Sequence, residues 1–85
     1  MYKQYNFNKI YLSCRRGILE LDIILLNFLE DQYFTLDDSM QKKFIYLLNE
    51  SDQNLYSWIV KGVENEMFID ILYKIRLNSQ KMKFN

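Results

Sequence analysis

Between Ile18 and Leu29 only Glu20, Asp22 and Asn27 interrupt a run of large apolar side chains, and that run constrains the fold more than any other stretch. Leu21, Ile24, Leu25, Phe28 and Leu29 follow the i, i+3, i+4, i+7, i+8 spacing of a helix packed along one face. Ile18, Leu19, Ile23 and Leu26 fill most of the remaining circumference. A helix apolar on so many sides is stable in water only when other helices surround it, so this segment is predicted to be the central helix of a bundle. At about 100° per residue, Glu20 and Asn27 share its narrow polar stripe, while Asp22 falls between Ile18, Leu26 and Leu29. A carboxylate among apolar neighbours needs hydrogen-bond donors, so Asp22 is expected to be substantially buried and bonded.

The flanking segments carry the same helical period. Phe7, Ile10, Tyr11 and Cys14 share one face of a short first helix, capped by Asn6 or Asn8. Gly17 then marks a boundary, because glycine inside a helix costs roughly 1 kcal/mol relative to alanine; it is read as the left-handed cap of that first helix. After fraying between Gln32 and Thr35, Asp37 caps a third helix through Met40, Phe44, Leu47 and Leu48, with Gln41, Lys42 and Asn49 outward. Ser51 or Asp52 opens a fourth, with Leu55, Trp58 and Ile59 on one side and Gly62 at its end. Trp58 is expected in the core, with Asp22 a candidate partner for its ring nitrogen. Glu64 and Glu66 begin a fifth through Phe68, Ile71, Leu72 and Ile75, with Lys74, Arg76 and Lys81 toward its negative end. The prediction is an all-α bundle of about five helices in a single domain over residues 1–85, with 79–85 as a mobile tail. The chain has no alanine, the best helix former, so helix stability must come from packing.

Composition narrows the function classes. Eleven basic and eleven acidic residues cancel, which disfavours nucleic acid and anionic membrane as partners. No apolar run reaches the roughly 18 residues of a membrane span, and the N-terminus lacks the regions of a signal peptide, so a cytoplasmic location is expected. The single cysteine lies on the apolar stripe of the first helix and reads as a buried structural thiol. With no histidine and no second cysteine, the chain offers neither a metal site nor the usual groups for acid–base and nucleophilic catalysis. A protein-binding module is the reading left, with no cofactor of its own.

The stretch that most resembles a binding site is Arg15-Arg16-Gly17-x-x-Glu20-Leu21-Asp22. Taken alone, each residue has an ordinary explanation: a glycine cap, first-turn acids facing the helix dipole at roughly 0.3 to 1 kcal/mol each, and a solvated pair of cations. The segment nevertheless resembles the R-R-G-x-x-E-L-D signature of the succinate dehydrogenase flavinylation factors. The likeness continues in order through Phe28-x-Glu30, Leu36, Phe44-Ile45-x-Leu47-Leu48, Asp52, Leu55 and Trp58. It departs at Lys9, where the family often has arginine, and at Leu12, where it often has tryptophan.

The resemblance implies a small assembly factor that binds the flavoprotein subunit of succinate dehydrogenase, with a related fumarate reductase as a second candidate partner. The factor promotes covalent attachment of FAD between a histidine of the flavoprotein and the methyl carbon of the isoalloxazine. The chemistry then belongs to the partner and its FAD, and this chain, a monomer when free, contributes orientation. Carried over residue by residue, the binding surface falls on Arg16, Gly17 and Glu20, with Arg15 and Lys9 as neighbours; Asp22 and Trp58 are assigned to the fold. Two other classes stand beside this one: an enzyme transferring FAD by itself, for which the chain shows neither base nor cleft, and a regulatory or antitoxin-like binder of a membrane-associated or cytoskeletal protein.

Overall fold

Helix α2 (Leu19–Gln32) is the axis about which the other elements of the computed structural model, which describes residues 6–81, are arranged. It is preceded by α1 (Phe7–Ser13) and followed by α3 (Asp38–Leu47), α4 (Asp52–Leu55) and α5 (Ile69–Gln80); a tight turn at Tyr33–Thr35 joins α2 to α3, and another at Glu66–Phe68 leads into α5. Among the described residues every regular element is helical, and the buried apolar side chains form one contiguous cluster drawn from all five helices. Leu21, Leu25, Phe28 and Leu29 of α2 are fully buried; around them pack Ile10 and Cys14, Phe44 and Leu47, Leu55 and Ile59, and Ile71, Leu72 and Ile75. Phe28 and Phe44 meet with ring centroids 5.3 Å apart in a tilted arrangement that adds to their area burial.

The caps follow local chemistry closely. Asn6 accepts from the amides of Asn8 and Lys9, Asp37 from Met40, and Ser51 from Asn54, each satisfying donors that a helix start leaves free. Gly62 directly follows the last turn of the fourth segment with φ +78°, a left-handed stop. Between α4 and Gly62, residues Tyr56–Val60 form a wide turn: the Lys61 amide donates to the Tyr56 carbonyl five residues back at 3.1 Å.

Several expectations are corrected. α2 is not enclosed on all sides: Leu19 is 77% exposed, and Ile18, Ile23, Ile24 and Leu26 are only half-buried, because no element covers the first turns on that face. α1 ends at Ser13 with Cys14 as its cap, so Gly17, though left-handed at φ +85°, lies three residues beyond as the hinge of the α1–α2 loop. Gln41 turns inward, and its amide donates to the Tyr33 carbonyl at 2.9 Å. The acid in the first turn of α5 is Asp70, while Glu64 lies in the preceding loop, 3.9 Å from Arg76. Finally, α5 continues to Gln80, two residues into the expected tail, and its Asn78 is buried, accepting from Gln32 and donating to Asp31. Residues 82–85 lie outside the described part of the chain.

Candidate functional site

In the loop from Arg15 to Ile18 that joins α1 to α2, the Arg15 amide still donates to the Leu12 carbonyl at 3.1 Å, but the amides of Arg16 and Gly17 need other partners. Asp22, one turn inside α2, supplies them. Its Oδ1 accepts from the Arg16 amide at 2.7 Å and its Oδ2 from the Gly17 amide at 3.1 Å. The carboxylate thus clamps two successive loop amides and adds negative charge near the positive end of the α2 dipole. Asp22 is half-buried and bonded as its place on the helix requires, but to this loop and not to Trp58. Trp58 is half-buried in the wide turn, its ring 5.8 Å from that of Phe68, and its carbonyl accepts from Arg76.

Arg16 is the second clamp. Its Nε donates to the Ser13 carbonyl at 2.9 Å, closing α1; its Nη1 reaches the Glu50 carbonyl at 3.2 Å and the Asp52 carboxylate at 3.0 Å; its Nη2 donates to the Leu48 carbonyl. The planar fork therefore ties the loop to the turn between α3 and α4 and to the first residue of α4, which a lysine could not do. Its side chain is only 16% exposed, unlike the exposed Arg15 beside it. The two adjacent arginines, read from sequence as one pair, do different work. Beneath them Cys14 is fully buried, and burial pushes its thiol up to about 12, with the Arg16 charge pulling against that and Asp22 adding to it. It is the inert structural thiol its position suggests.

With both clamps in place, one face of the loop is left free. A Cβ added at Gly17 would meet no atom within 4 Å, so the backbone there is open to whatever docks. Glu20, in the first turn of α2, is exposed. Next to it runs an apolar groove of about 690 Å³ lined by Ile18, Leu19, Ile23, Ile24 and Tyr56, with Ser79 of α5 at its margin. Arg15 borders a shallower depression with Leu12, Ser13 and Asp52. Lys9 is exposed and faces a separate dip between α1 and α3, shared with Ile45, Leu48 and Asn49. Of the residues singled out in the sequence, Arg15, Gly17 and Glu20 therefore present free surface around one loop, Arg16 and Asp22 hold that loop from behind, and Lys9 stands on the flank.

The model of the family described as flavinator of succinate dehydrogenase matches residues 8–77, which contain every one of these positions. The chain belongs to this family. It is similar to the FAD assembly factor SdhE of Francisella tularensis, at 38% identity over 82 residues, 92% of this chain and 81% of that one. The protein of the same name from Coxiella burnetii is 40% identical over 70 residues, 80% of this chain and 85% of its own. That of Pectobacterium atrosepticum is 42% identical over 59 residues, 69% and 67% respectively. No solved structure matches the chain.

Four contributors to the site were not singled out from sequence. Of the two cap candidates, Ser51 and Asp52, Ser51 does the capping, and Asp52 faces Arg16. Leu19, Ile23 and Tyr56 were read as interior or passed over, and only the packing shows that they line an open groove. The signal available for them was the excess of apolar residues on α2 beyond one helical face, which is ambiguous between burial and docking.

Proposed function

We propose that this chain binds the flavoprotein subunit of succinate dehydrogenase and promotes covalent attachment of FAD to it, acting on the partner's geometry and contributing no reacting group. The observation that carries this reading is the family match across residues 8–77 together with the Arg15–Asp22 loop, whose conformation is held by internal clamps while Gly17 and Glu20 stay open. Family membership supplies the partner. On the same reading the factor acts in the cytoplasm; among the described residues no helix is long and apolar enough to cross a membrane.

On this reading Gly17 admits the partner's backbone, Glu20 meets a cation or amide of the flavoprotein, and Arg15 and Lys9 add positive charge at the rim. Arg16 and Asp22 act one step back, by holding the loop in the shape that docks. Covalent bond formation rests with the flavoprotein and its FAD, and the factor raises its rate by fixing orientation and shaping the local field. On the same reading a related fumarate reductase flavoprotein is the second partner, and the free factor is a monomer.

The test is reconstitution from the purified flavoprotein apoprotein, FAD and this chain, read as flavin fluorescence retained on a denaturing gel. Glu20→Ala leaves no cavity, and its dipole contribution is at most about 1 kcal/mol, so helical content should persist. Losing a desolvated charge contact costs roughly 2 to 5 kcal/mol, so binding should weaken about thirtyfold or more. Gly17→Arg should also stay helical, at a cost of about 1 to 2 kcal/mol for a side chain at positive φ, and should block docking. If Glu20→Ala supports flavinylation as well as the parent, Glu20 is only a helix-dipole acid and this reading fails.

A further inference from the structure

The groove beside Glu20 is an apolar feature of the described surface that the roles above leave unused. Leu19 is 77% exposed at the first position of α2, with Ile18, Ile23 and Ile24 half-buried around it, although nothing in helix formation requires leucine at that site. The opposite wall is Tyr56, the first residue of the wide turn. Such turns are rare, interrupt an otherwise regular ladder, and occur disproportionately at functional sites. A second depression, lined by Ile18, Asp52, Gln53, Tyr56 and Ser57, continues the groove toward Arg16. The apolar floor is thus contiguous with Ile18, at the end of the loop that carries Gly17, and with Glu20 in the first turn of α2.

The lining argues for a protein segment as the occupant. A small-molecule site has several convergent polar groups that fix its ligand, whereas here Glu20 is the charged group and Tyr56 and Ser79 the other polar side chains. A large apolar side chain with one charge beside it matches the anatomy of a protein-interface anchor.

We infer that the Leu19–Ile23–Tyr56 groove is the affinity- and specificity-determining anchor of this interface, taking a large apolar side chain of the flavoprotein subunit whose neighbouring cation pairs with Glu20. This rests on the proposed function and adds to it: the signature loop fixes where the flavoprotein approaches, and the groove supplies most of the discrimination among flavoproteins. Charge complementarity sets the order of the two features in the partner. The apolar side chain enters between α2 and the wide turn, and the cation lies on the Gly17 side.

The experiment measures the dissociation constant of the full-length chain with the purified flavoprotein subunit by calorimetry. Variants are Leu19→Ser, Leu19→Met, Ile23→Ser, Glu20→Ala and, as a control, Tyr73→Ser. Tyr73 is 60% exposed on a face of α5 turned about 120° from Ser79. Circular dichroism melts accompany each variant, and Leu19→Ser, at a position already mostly exposed, should melt like the parent. Leu19→Ser and Ile23→Ser should weaken binding at least tenfold, Leu19→Met, which keeps a large apolar side chain, should recover most of the Leu19→Ser loss, and Tyr73→Ser should stay within twofold of the parent. Parent-like affinity for Leu19→Ser while Glu20→Ala is weakened overturns the anchor and leaves the proposed function standing. A parent chain that does not bind the flavoprotein at all overturns the proposed function itself. A dimeric parent that Leu19→Ser converts to monomer, with unchanged flavoprotein affinity, assigns the groove to a second copy and also overturns the inference.

Discussion

Replacing Arg16 by lysine keeps the charge and removes the fork, and the structure predicts a large loss of stability from that change. The guanidinium serves three carbonyls, of Ser13, Leu48 and Glu50, and one carboxylate, of Asp52. The ion pair is the smaller part, because Asp52 is 48% exposed and a half-solvated pair contributes at most about 1 kcal/mol. The carbonyls are the larger part. A hydrogen bond from a charged donor contributes roughly 1.5 to 3 kcal/mol, and a lysine ammonium placed here can keep one or two of these contacts in place of all of them. Allowing for water reaching the exposed carbonyls, Arg16→Lys should cost about 2 to 4 kcal/mol. An 85-residue domain has roughly 4 to 13 kcal/mol in total, so this is a substantial fraction. At about 4 to 8 °C per kcal/mol for this size, the melting temperature should fall by about 10 °C or more. Thermal and urea unfolding of the parent, Arg16→Lys, Asp52→Asn and Arg15→Ala provide the assay. Asp52→Asn should cost no more than about 1 kcal/mol and Arg15→Ala less than about 0.5 kcal/mol. An Arg16→Lys protein that melts with the parent, or an Asp52→Asn protein that loses as much as Arg16→Lys, would refute the view that the carbonyls dominate.

Two further expectations concern Asp22 and Cys14, on either side of the same loop. Asp22→Ala strips the acceptor from two adjacent amides and should cost about 2 to 3 kcal/mol in urea unfolding, with Asp22→Asn, which keeps one acceptor, falling between it and the parent. Unchanged stability in Asp22→Ala would mean that water replaces the clamp at no cost. Cys14 should resist a thiol reagent at pH 8 in the native protein and react fully in denaturant. Because its native value is raised to about 12 from 9.0, its contribution is complete below pH 9 and declines as pH rises from there toward 12, since only the unfolded thiol ionises in that window. Stability measured across pH 8 to 11 should therefore fall more steeply for the parent than for Cys14→Ala, and parallel curves would show that the thiol is not held neutral by the fold.

Local chemistry determined a great deal here. The caps at Asn6, Asp37 and Ser51, the stop at Gly62, and the fully buried face of Leu21, Leu25, Phe28 and Leu29 all follow from interactions between residues a few positions apart, which a linear sequence displays directly. The Arg15–Asp22 signature, and with it the family, was legible for the same reason. Tertiary structure alone decided the division of labour within it. That Arg16 turns inward while Arg15 stays out depends on carbonyls at Leu48 and Glu50, 32 and 34 residues away, whose positions no local rule reveals. Asp22 likewise accepts from two loop amides and not from Trp58, because the fold sets the Arg16 and Gly17 amides 2.7 and 3.1 Å from its carboxylate. The groove is the clearest case. Periodicity identifies which residues of α2 are apolar, but whether a neighbour covers Leu19 and Ile23 depends on how many helices an 85-residue chain can place around the central one, and one side of its first turns was left open.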